Sequence, residues 1–464
     1  MSQTTATNTA VQQHAVLGIQ SQRLPRRHTT HPEAQWFPLA GLGLFIHWGI
    51  ASVHGDLDLS WGMMADTPYD AAAQGRNKLC PEEYWQLANR FRPQRYDPDR
   101  WLAAAAAAGF QYAVLTTMHH DGYTLWPSRY SDLGVHVSLE GRDLVRSFVE
   151  ACRRHGLKVG LYYSPPDWYF DRRYMSFHYR SDDQNRFPGR RHFDTRHHPC
   201  SLPPKPPEHD AQRRQLCHQR VGELLTNYGR IDLIWFDGGP QDPALGELVR
   251  RLQPHIVVNS RSCDGDYADT ECQTPTEKFS GWFETCHCWQ ESNLPGATGK
   301  SVDFWGYLKS EQYKSTVWML TLLSRLRAWG GNLLVNVGPR PDGELPAVVY
   351  ERFRETAAWM QRHRPAVIDC RPGPYPERAS VPVTIQGHTW YVHLLPGEGQ
   401  IAILQEVPQP KTIALQRTGE LLPSATFHWQ AGTLTITTPQ ALRTSSVDIL
   451  AVEWSHPVPS TDTI

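Results

Sequence analysis

The stretch Ile231-Asp-Leu-Ile-Trp-Phe-Asp-Gly-Gly239 decides the fold. Five of its first six residues are apolar or aromatic, a run that is too short for a typical helix and typical of a buried strand. The run stops at Asp237, and two glycines followed by Pro240 force a turn. In α/β enzymes, catalytic groups follow the C-terminal ends of such strands. Asp237 is therefore either a catalytic acid or the cap of the helix that follows.

Further short apolar runs alternate with amphipathic, helix-forming segments. This alternation predicts a parallel sheet, and the number of strands fits a (β/α)8-like barrel. A doubly wound open sheet is the alternative, but no Gly-rich phosphate fingerprint follows the first strand. The predicted strands cover residues 43–48, 111–118, 158–164, 231–237, 255–260, 280–286 and 331–338, with an eighth expected within 262–280.

The hydrophobic pattern of the sequence changes near residue 370, where short segments of alternating apolar and polar residues between turns predict an all-β sandwich. We expect a flexible N-terminal tail over residues 1–34, a catalytic barrel over 35–366 and a β-sandwich domain over 367–464. Within the barrel, residues 307–329 predict one long helix. Residues 165–208, rich in Arg, His and Pro, predict a long loop of the kind that forms functional lids.

The bulk composition excludes some classes of function. With 46 Lys plus Arg against 47 Asp plus Glu, the chain has no global basic field to attract nucleic acid. It lacks a run of 18 apolar residues and a secretory signal pattern, so we expect no membrane span. Nine scattered cysteines favour a reducing, cytoplasmic location. The 17 Trp and 18 Tyr suit stacking on sugar rings as well as core packing. The oligomeric state stays open, and a homo-oligomer is compatible with these features.

Chemistry-bearing side chains follow the predicted strands. His47, the pair His119-His120 and Asp237 stand at strand ends, and Glu284 lies in the predicted strand 280–286. Two carboxylates on neighbouring strand ends suit glycoside hydrolysis. The competing reading is a metal-dependent hydrolase with the three histidines and Asp237 as ligands. Adjacent residues on a regular strand face opposite ways, so His119 and His120 are not expected to share an ion. We therefore predict neither a metal nor a cofactor.

Several blocks together resemble the retaining α-L-fucosidase family of glycoside hydrolases. The most specific is Leu115-Thr-Thr-Met-His-His-Asp-Gly-Tyr-Thr-Leu-Trp-Pro-Ser-Arg-Tyr-Ser-Asp132. Residues 45–53, 142–143, 156–164, 232–239 and 330–343 follow the order of the family, so the resemblance runs from about residue 36 to 364. It implies an exo-acting enzyme that hydrolyses a fucosylated glycan or glycoside through a covalent glycosyl-aspartate.

The resemblance also implies roles for individual residues. It makes Asp237 the nucleophile. The acid/base of the family is a Glu in a Trp-Glu-x-Cys block, for which Glu284 in Phe283-Glu-Thr-Cys286 is the nearest match and Glu271 the second choice. The residues that it implies for sugar binding are His47, Trp61, His119, His120, Tyr162 and Trp235.

Two departures from the family pattern leave alternatives open. The family often has Glu-Trp after the first strand, where this chain has Ser60-Trp61, and residues 288–303 differ as well. An apolar pocket rejects an added hydroxyl weakly, so a related sugar such as an α-L-galactoside is the alternative substrate. A catalytically weakened sugar-binding protein on the same fold is the alternative from another class.

Overall fold

Eight short parallel strands form the central sheet, and their order in the sheet follows their order in the chain. The computed structural model describes residues 28–67, 79–275, 278–279, 281–291 and 304–459. The first strand pairs with the eighth, and a parallel bridge between Asn259 and Tyr267 joins the fifth to the sixth. The sheet therefore closes, which confirms the predicted (β/α)8-like barrel. The strands are β1 Leu42–Ile46, β2 Tyr112–Met118, β3 Lys158–Tyr163, β4 Leu233–Phe236, β5 Val257–Val258, β6 Ala268–Glu271, β7 Phe283–Cys288 and β8 Asn332–Val337.

Burial on both faces explains why the barrel strands are apolar runs rather than alternating ones. Every residue of β1, β2, β4, β7 and β8 is buried. The helices connect the strands, and Asp97, Asp143, Asp167 and Asp242 each cap one by accepting a hydrogen bond from a first-turn N–H group. The helices are α1 Phe37–Ala40, α2 Pro81–Gln86, α3 Pro98–Ala107, α4 Val135–Ser138, α5 Leu144–Arg154, α6 Trp168–Asp171, α7 His209–Asn227, α8 Pro243–Leu252, α9 Thr316–Ala328 and α10 Ala347–His363.

Two predicted elements have wrong bounds. The helix predicted over 307–329 begins only at Thr316, because the Ser315 side chain accepts the N–H of Trp318 and caps the helix there. The strand predicted over 280–286 runs from 283 to 288, since its last residues continue the ladder with β8 as far as Cys288. This shift moves Glu284 from near the end of the strand to its second position.

The long segment 165–208 packs against the chain that follows β1. It contains α6 and a small hairpin between His192–Phe193 and Pro199–Cys200. Ala65 exchanges backbone hydrogen bonds with residues 177 and 179, accepting from the latter at 2.9 Å and donating to the former at 2.8 Å. The ring of His197 in this segment also bonds through Nε2 to the carbonyl of Met63 at 2.9 Å, so the segment supports the chain that follows β1.

The C-terminal region forms two antiparallel sheets around a shared apolar core, as predicted. The strands are β9 Arg371–Pro372, β10 Val383–Gln386, β11 Thr389–Leu394, β12 Ile401–Leu404, β13 Thr412–Leu415, β14 Phe427–Gln430, β15 Thr433–Thr437 and β16 Asp448–Glu453. One sheet has the order β9-β10-β11-β16-β13 and the other β12-β15-β14. Val392 and Leu450 of the first sheet and Leu434 of the second belong to this core. Trp359 of α10 donates its indole N–H to the carbonyl of Val447 at 2.9 Å and so ties the barrel to this region.

The tail predicted over residues 1–34 lies outside the described residues up to residue 27. Residues 28–34 contact the barrel, where His28 stacks on Trp282 and Thr29 donates its N–H to Asp266 at 2.8 Å. The nine cysteines are present as thiols. Among the described helices, none combines the length and the hydropathy that a membrane crossing requires. The domain bounds and the cytoplasmic location stay predictions.

Candidate active site

A recess of about 410 Å³, including the solvent at its mouth, opens at the C-terminal ends of the barrel strands. Parallel strands bring their last residues to this one face, which is why residues far apart in sequence meet here. Every residue predicted for the site lines the recess except Glu284. The lining residues are Phe45, His47, Asp58, Leu59, Trp61, His119, His120, Tyr162, Trp235, Asp237, Arg261, Glu271 and Trp305.

Asp237 is the first residue after β4, and its N–H donates to the carbonyl of Tyr163 at 3.1 Å, which extends the ladder with β3 by one residue. Its Oδ2 accepts the hydroxyl of Tyr162 at 2.6 Å, and its Oδ1 accepts Nη1 of Arg261 at 2.9 Å. The alternative role as a helix cap is wrong, because Asp242 caps α8. Gly239 follows with φ +91°, and a side chain there would press on Pro165 at 3.3 Å.

Charged neighbours keep Asp237 ionised. Burial alone would raise the pKa of this carboxyl group. The charges of His120 and Arg261, with the hydrogen bond from Tyr162, outweigh burial and lower the pKa of Asp237 well below its ordinary value. The site therefore holds a carboxylate with an accessible side chain, 14% exposed, at the base of the recess.

His120 links Asp237 to the strand end of β3. Ser164 donates its hydroxyl to the carbonyl of Pro166 at 2.8 Å, so its Oγ accepts the Nδ1–H of His120 at 2.5 Å. Nε2 of His120 lies 3.5 Å from Oδ2 of Asp237. With one proton fixed on Nδ1, the ring faces the carboxylate favourably only when Nε2 is protonated too. The hydrogen bonds thus favour an imidazolium beside the Asp237 carboxylate.

His47 and Trp305 form another wall of the recess. Nδ1 of His47 bonds to Oδ1 of Asn336 at 2.8 Å, which directs Nε2 towards the recess. Asn336 also donates to the carbonyl of Trp305 at 2.8 Å, and Asp58 accepts the N–H of Trp305 at 2.9 Å. Burial lowers the pKa of His47 to about 4, so this ring is neutral at pH 7 and can accept a hydroxyl hydrogen.

His119 is held by the residue that replaces the glutamate usual in the family. Oγ of Ser60 lies 2.5 Å from Nδ1 of His119 and accepts the N–H of Asp121 at 2.8 Å. Burial lowers the pKa of His119 well below its ordinary value, with a contribution from the charge of His120. His119 is consequently a neutral hydrogen-bonding group of the recess.

Arg261, at the end of β5, joins three carboxyl groups. Its Nη1 lies 2.9 Å from Oδ1 of Asp237 and 3.1 Å from Oε2 of Glu271. Its Nε donates to Asp269 through a short hydrogen bond. Burial opposes the charge, but the carboxylates outweigh it and hold the pKa of Arg261 well above its ordinary value. Because one nitrogen serves both, the Asp237 and Glu271 oxygens lie no farther apart than the sum of those distances, about 6.0 Å.

Glu284 does not reach the recess, which corrects the prediction that it is the first candidate for the acid/base. It is wholly buried and lies opposite Asn332 at the N-terminal end of β8. In the β6–β7 ladder it pairs with Asp269, while Glu271 pairs with Cys286. Glu271 therefore lies two residues, or about 6.6 Å, nearer the open end of the barrel. The structure places the second-choice carboxyl group, not the first, beside Asp237.

The argument from strand alternation against a shared ligand at His119 and His120 is also wrong. β2 ends at Met118, so both histidines lie in the turn, where alternation no longer applies. Their ring centroids are 4.3 Å apart, and one ligand atom from each lies within 4.8 Å of a carboxylate oxygen of Asp237. Arg261 already places a cation 2.9 Å from that carboxylate, and its positive charge disfavours a metal ion there.

Five residues that line the recess were missed by sequence reasoning: Phe45, Asp58, Leu59, Arg261 and Trp305. Arg261 follows the predicted strand 255–260, so the strand-end rule that selected Asp237 would have selected it as well. Asp58 and Trp305 meet 247 positions apart in the chain, and neither stands at a strand end. No pattern in the sequence signals their contact.

Comparison with known proteins assigns the family. Residues 8–364 match the family model described as Alpha-L-fucosidase. The tissue alpha-L-fucosidase of Bos taurus is 27% identical over 416 residues, which cover 82% of this chain and 80% of that protein. The tissue alpha-L-fucosidase of Homo sapiens is 28% identical over 387 residues, 75% of this chain and 73% of that protein.

Solved structures agree with this assignment. Alpha-L-fucosidase isoenzyme 1 from Paenibacillus thiaminolyticus superposes with a TM-score of 0.72 at 27% identity, covering 91% of this chain and 98% of that one. The Thermotoga maritima alpha-fucosidase shares the fold with a TM-score of 0.68 at 24% identity, covering 90% and 96% of the two chains. Since the family match extends over most of the sequence, this chain belongs to the alpha-L-fucosidase family and is a glycoside hydrolase.

Proposed function

We propose that the protein is an exo-acting α-L-fucosidase that cleaves terminal α-L-fucosyl linkages with retention of configuration. The observation that carries this proposal is the Arg261 bridge, which holds one oxygen of Asp237 and one of Glu271 within about 6.0 Å. Retaining enzymes separate their two carboxyl groups by about 5–5.5 Å, and inverting enzymes by about 6.5–9.5 Å. The bridged pair fits the first class.

The chemistry proceeds in two displacements. Oδ2 or Oδ1 of Asp237 attacks the anomeric carbon, the bond to the leaving oxygen breaks, and Glu271 gives its proton to that oxygen. Water then attacks the same carbon, gives a proton to Glu271, and breaks the bond to Asp237. The proposed chemistry uses carboxyl groups and water and requires no cofactor.

The position of Glu271 supports it as the proton carrier. Its Oε2 lies 3.1 Å from Nη1 of Arg261, the nitrogen that also holds Asp237, and its side chain is 12% exposed. A carboxyl group at the open end of the recess can reach both the leaving oxygen and the water of the second step.

The shape of the recess supports exo action on a single terminal sugar. Phe45 and Trp235 meet edge to face, with ring centroids 5.2 Å apart, and close its floor. Trp61 and Trp305 line it together with the neutral histidines His47 and His119. The rings offer apolar surface to the sugar, and the histidines accept or donate hydrogen bonds to its hydroxyl groups.

The test follows the stereochemistry of hydrolysis. The wild-type enzyme should release L-fucose from an aryl α-L-fucoside first as the α anomer, observed by time-resolved proton NMR. Asp237→Gly should lower kcat at least about 10³-fold. Azide should rescue that variant and give β-L-fucosyl azide, because it enters from the face that Asp237 vacates. Initial release of the β anomer, or undiminished turnover by the variant, contradicts the proposal.

A panel of aryl glycosides tests the sugar. Ser60 in place of the glutamate usual in the family motivates including an α-L-galactoside, which differs from the fucoside by one hydroxyl group. We expect the higher kcat/KM on the fucoside. A preference for the galactoside would reassign the substrate. Calorimetric binding of L-fucose without turnover of any glycoside would favour a sugar-binding protein instead.

A further inference from the structure

Glu284 lies beneath the recess and has no part in the chemistry proposed above. It is wholly buried between strands of the barrel. Its Oε1 accepts the indole N–H of Trp235 at 3.1 Å, and its Oε2 accepts the hydroxyl of Tyr112 through a short hydrogen bond. A buried carboxyl group is costly unless specific donors satisfy it, so both contacts hold it in one orientation.

Trp235 carries this contact upwards to the nucleophile. The guanidinium of Arg261 lies 4.3 Å from the centre of the Trp235 ring, and the ring of Tyr162 stacks on it at 5.5 Å with an interplanar angle of 15°. Arg261 and Tyr162 each donate a hydrogen bond to Asp237, one to each oxygen. The indole is therefore the shared support of both donors.

We propose that Glu284 is a positioning residue for hydrolysis, which fixes the Trp235 indole so that Arg261 and Tyr162 hold the Asp237 carboxylate in its reactive orientation. The indole has a single polar atom, and Glu284 is the acceptor that fixes its rotation. This inference rests on the proposed function, since it assigns a supporting role to a residue that touches no substrate.

The surroundings of Glu284 fit a supporting role. The groups that face it are Tyr112 from β2, Trp235 from β4 and Asp269 from β6, together with Tyr267, which immediately precedes β6. Burial raises the pKa of Glu284 to about 7, with a further contribution from Asp269. Whether neutral or ionised, the carboxyl group keeps one oxygen as an acceptor for the indole N–H.

The experiment compares three single variants and one double variant with the wild type. Glu284→Gln retains an acceptor for Trp235 and a donor for Tyr112, so it should keep kcat within about threefold. Glu284→Met fills a similar volume without an acceptor and should lower kcat by about ten- to a hundredfold. Trp235→Phe removes the donor, and adding Glu284→Met to it should cost little further. Active sites are counted by trapping with 2-deoxy-2-fluoro-L-fucosyl fluoride, so unfolded protein does not enter kcat.

Each outcome decides the inference. An unchanged kcat per active site in Glu284→Met, or additive losses in the double variant, overturns it. A loss that grows for poor leaving groups would make Glu284 the proton donor instead, since a positioning residue affects all leaving groups alike. If the wild type hydrolyses no α-L-fucoside, the proposed function fails by itself. In that case the role of Glu284 is tested by the affinity for L-fucose, measured by calorimetry. This affinity should fall in Glu284→Met but not in Glu284→Gln.

Discussion

Replacing Glu284 by Gln should change how the stability of the fold depends on pH. Burial raises the pKa of Glu284 from its ordinary value of 4.5 to about 7. Between these values the unfolded chain binds fewer protons than the folded one, so the wild-type protein loses stability as pH rises. At about 1.36 kcal/mol per pH unit, the interval corresponds to about 3 kcal/mol of stability, which is fully present below pH 4.5 and lost above pH 7.

Glutamine keeps an acceptor for Trp235, offers its amide N–H to the oxygen of Tyr112, and has no proton to lose. The difference in the free energy of unfolding between Glu284→Gln and the wild type should therefore shift by about 3 kcal/mol in favour of the variant from pH 4.5 to pH 8. Equilibrium unfolding in urea measures it, provided that both proteins show the same m value. Glu247→Gln, on the exposed side of α8, is the matched control and should give the same difference at both pH values. A constant difference for Glu284→Gln, or one of opposite sign, refutes the reasoning.

Three further predictions concern the recess. Glu271→Ala should lower kcat/KM by about 10²–10⁴-fold on an alkyl α-L-fucoside and far less on 2,4-dinitrophenyl α-L-fucoside, whose leaving group needs no proton; equal losses on both substrates would exclude Glu271 as the acid. Ser164→Ala removes the acceptor that favours the imidazolium of His120, so the pKa of Asp237 should rise and the acid limb of the kcat/KM profile should move to higher pH; an unmoved limb contradicts this role. EDTA should leave activity unchanged, because Arg261 occupies the cation position beside Asp237, and activity lost to EDTA and restored by Zn²⁺ would reveal a metal site at the histidine pair.

The strand-end rule accounts for what the sequence could predict of the site. His47 and Asp237 follow strands whose apolar runs are unmistakable, and parallel pairing brings such positions together. The same rule would have found Arg261 after the strand 255–260. The rule cannot predict contacts between loops that are far apart in the sequence. The bond from Trp305 to Asp58 joins loops that no local pattern relates.

The predicted position of Glu284 shows where local reasoning fails. In a parallel barrel, the position of a residue along its strand decides whether its side chain faces the recess or the closed floor. The sequence 283–288 ends in Cys-His-Cys, which is not a typical apolar run, so the predicted strand stopped too early. Pairing with β8 extends it to Cys288 and leaves Glu284 at its beginning. An error of two residues at one strand end thus exchanged the two glutamates.

The two glutamates illustrate how height in the barrel sets the role of a carboxyl group. Glu271 stands at the open end beside Arg261, 12% exposed, where a proton can pass to a substrate or to water. Glu284, two residues lower on the neighbouring strand, accepts hydrogen bonds from Tyr112 and Trp235 and is closed off from solvent. A carboxyl group that transfers a proton must reach the substrate or water and must change between its protonated and ionised forms. A carboxyl group that supports an indole only needs to keep one oxygen in place as a hydrogen-bond acceptor. A glutamate side chain therefore serves as the proposed acid/base near the open end of the barrel. One layer below, another glutamate serves as the proposed support of Trp235, and through Trp235 of the two residues that hold Asp237.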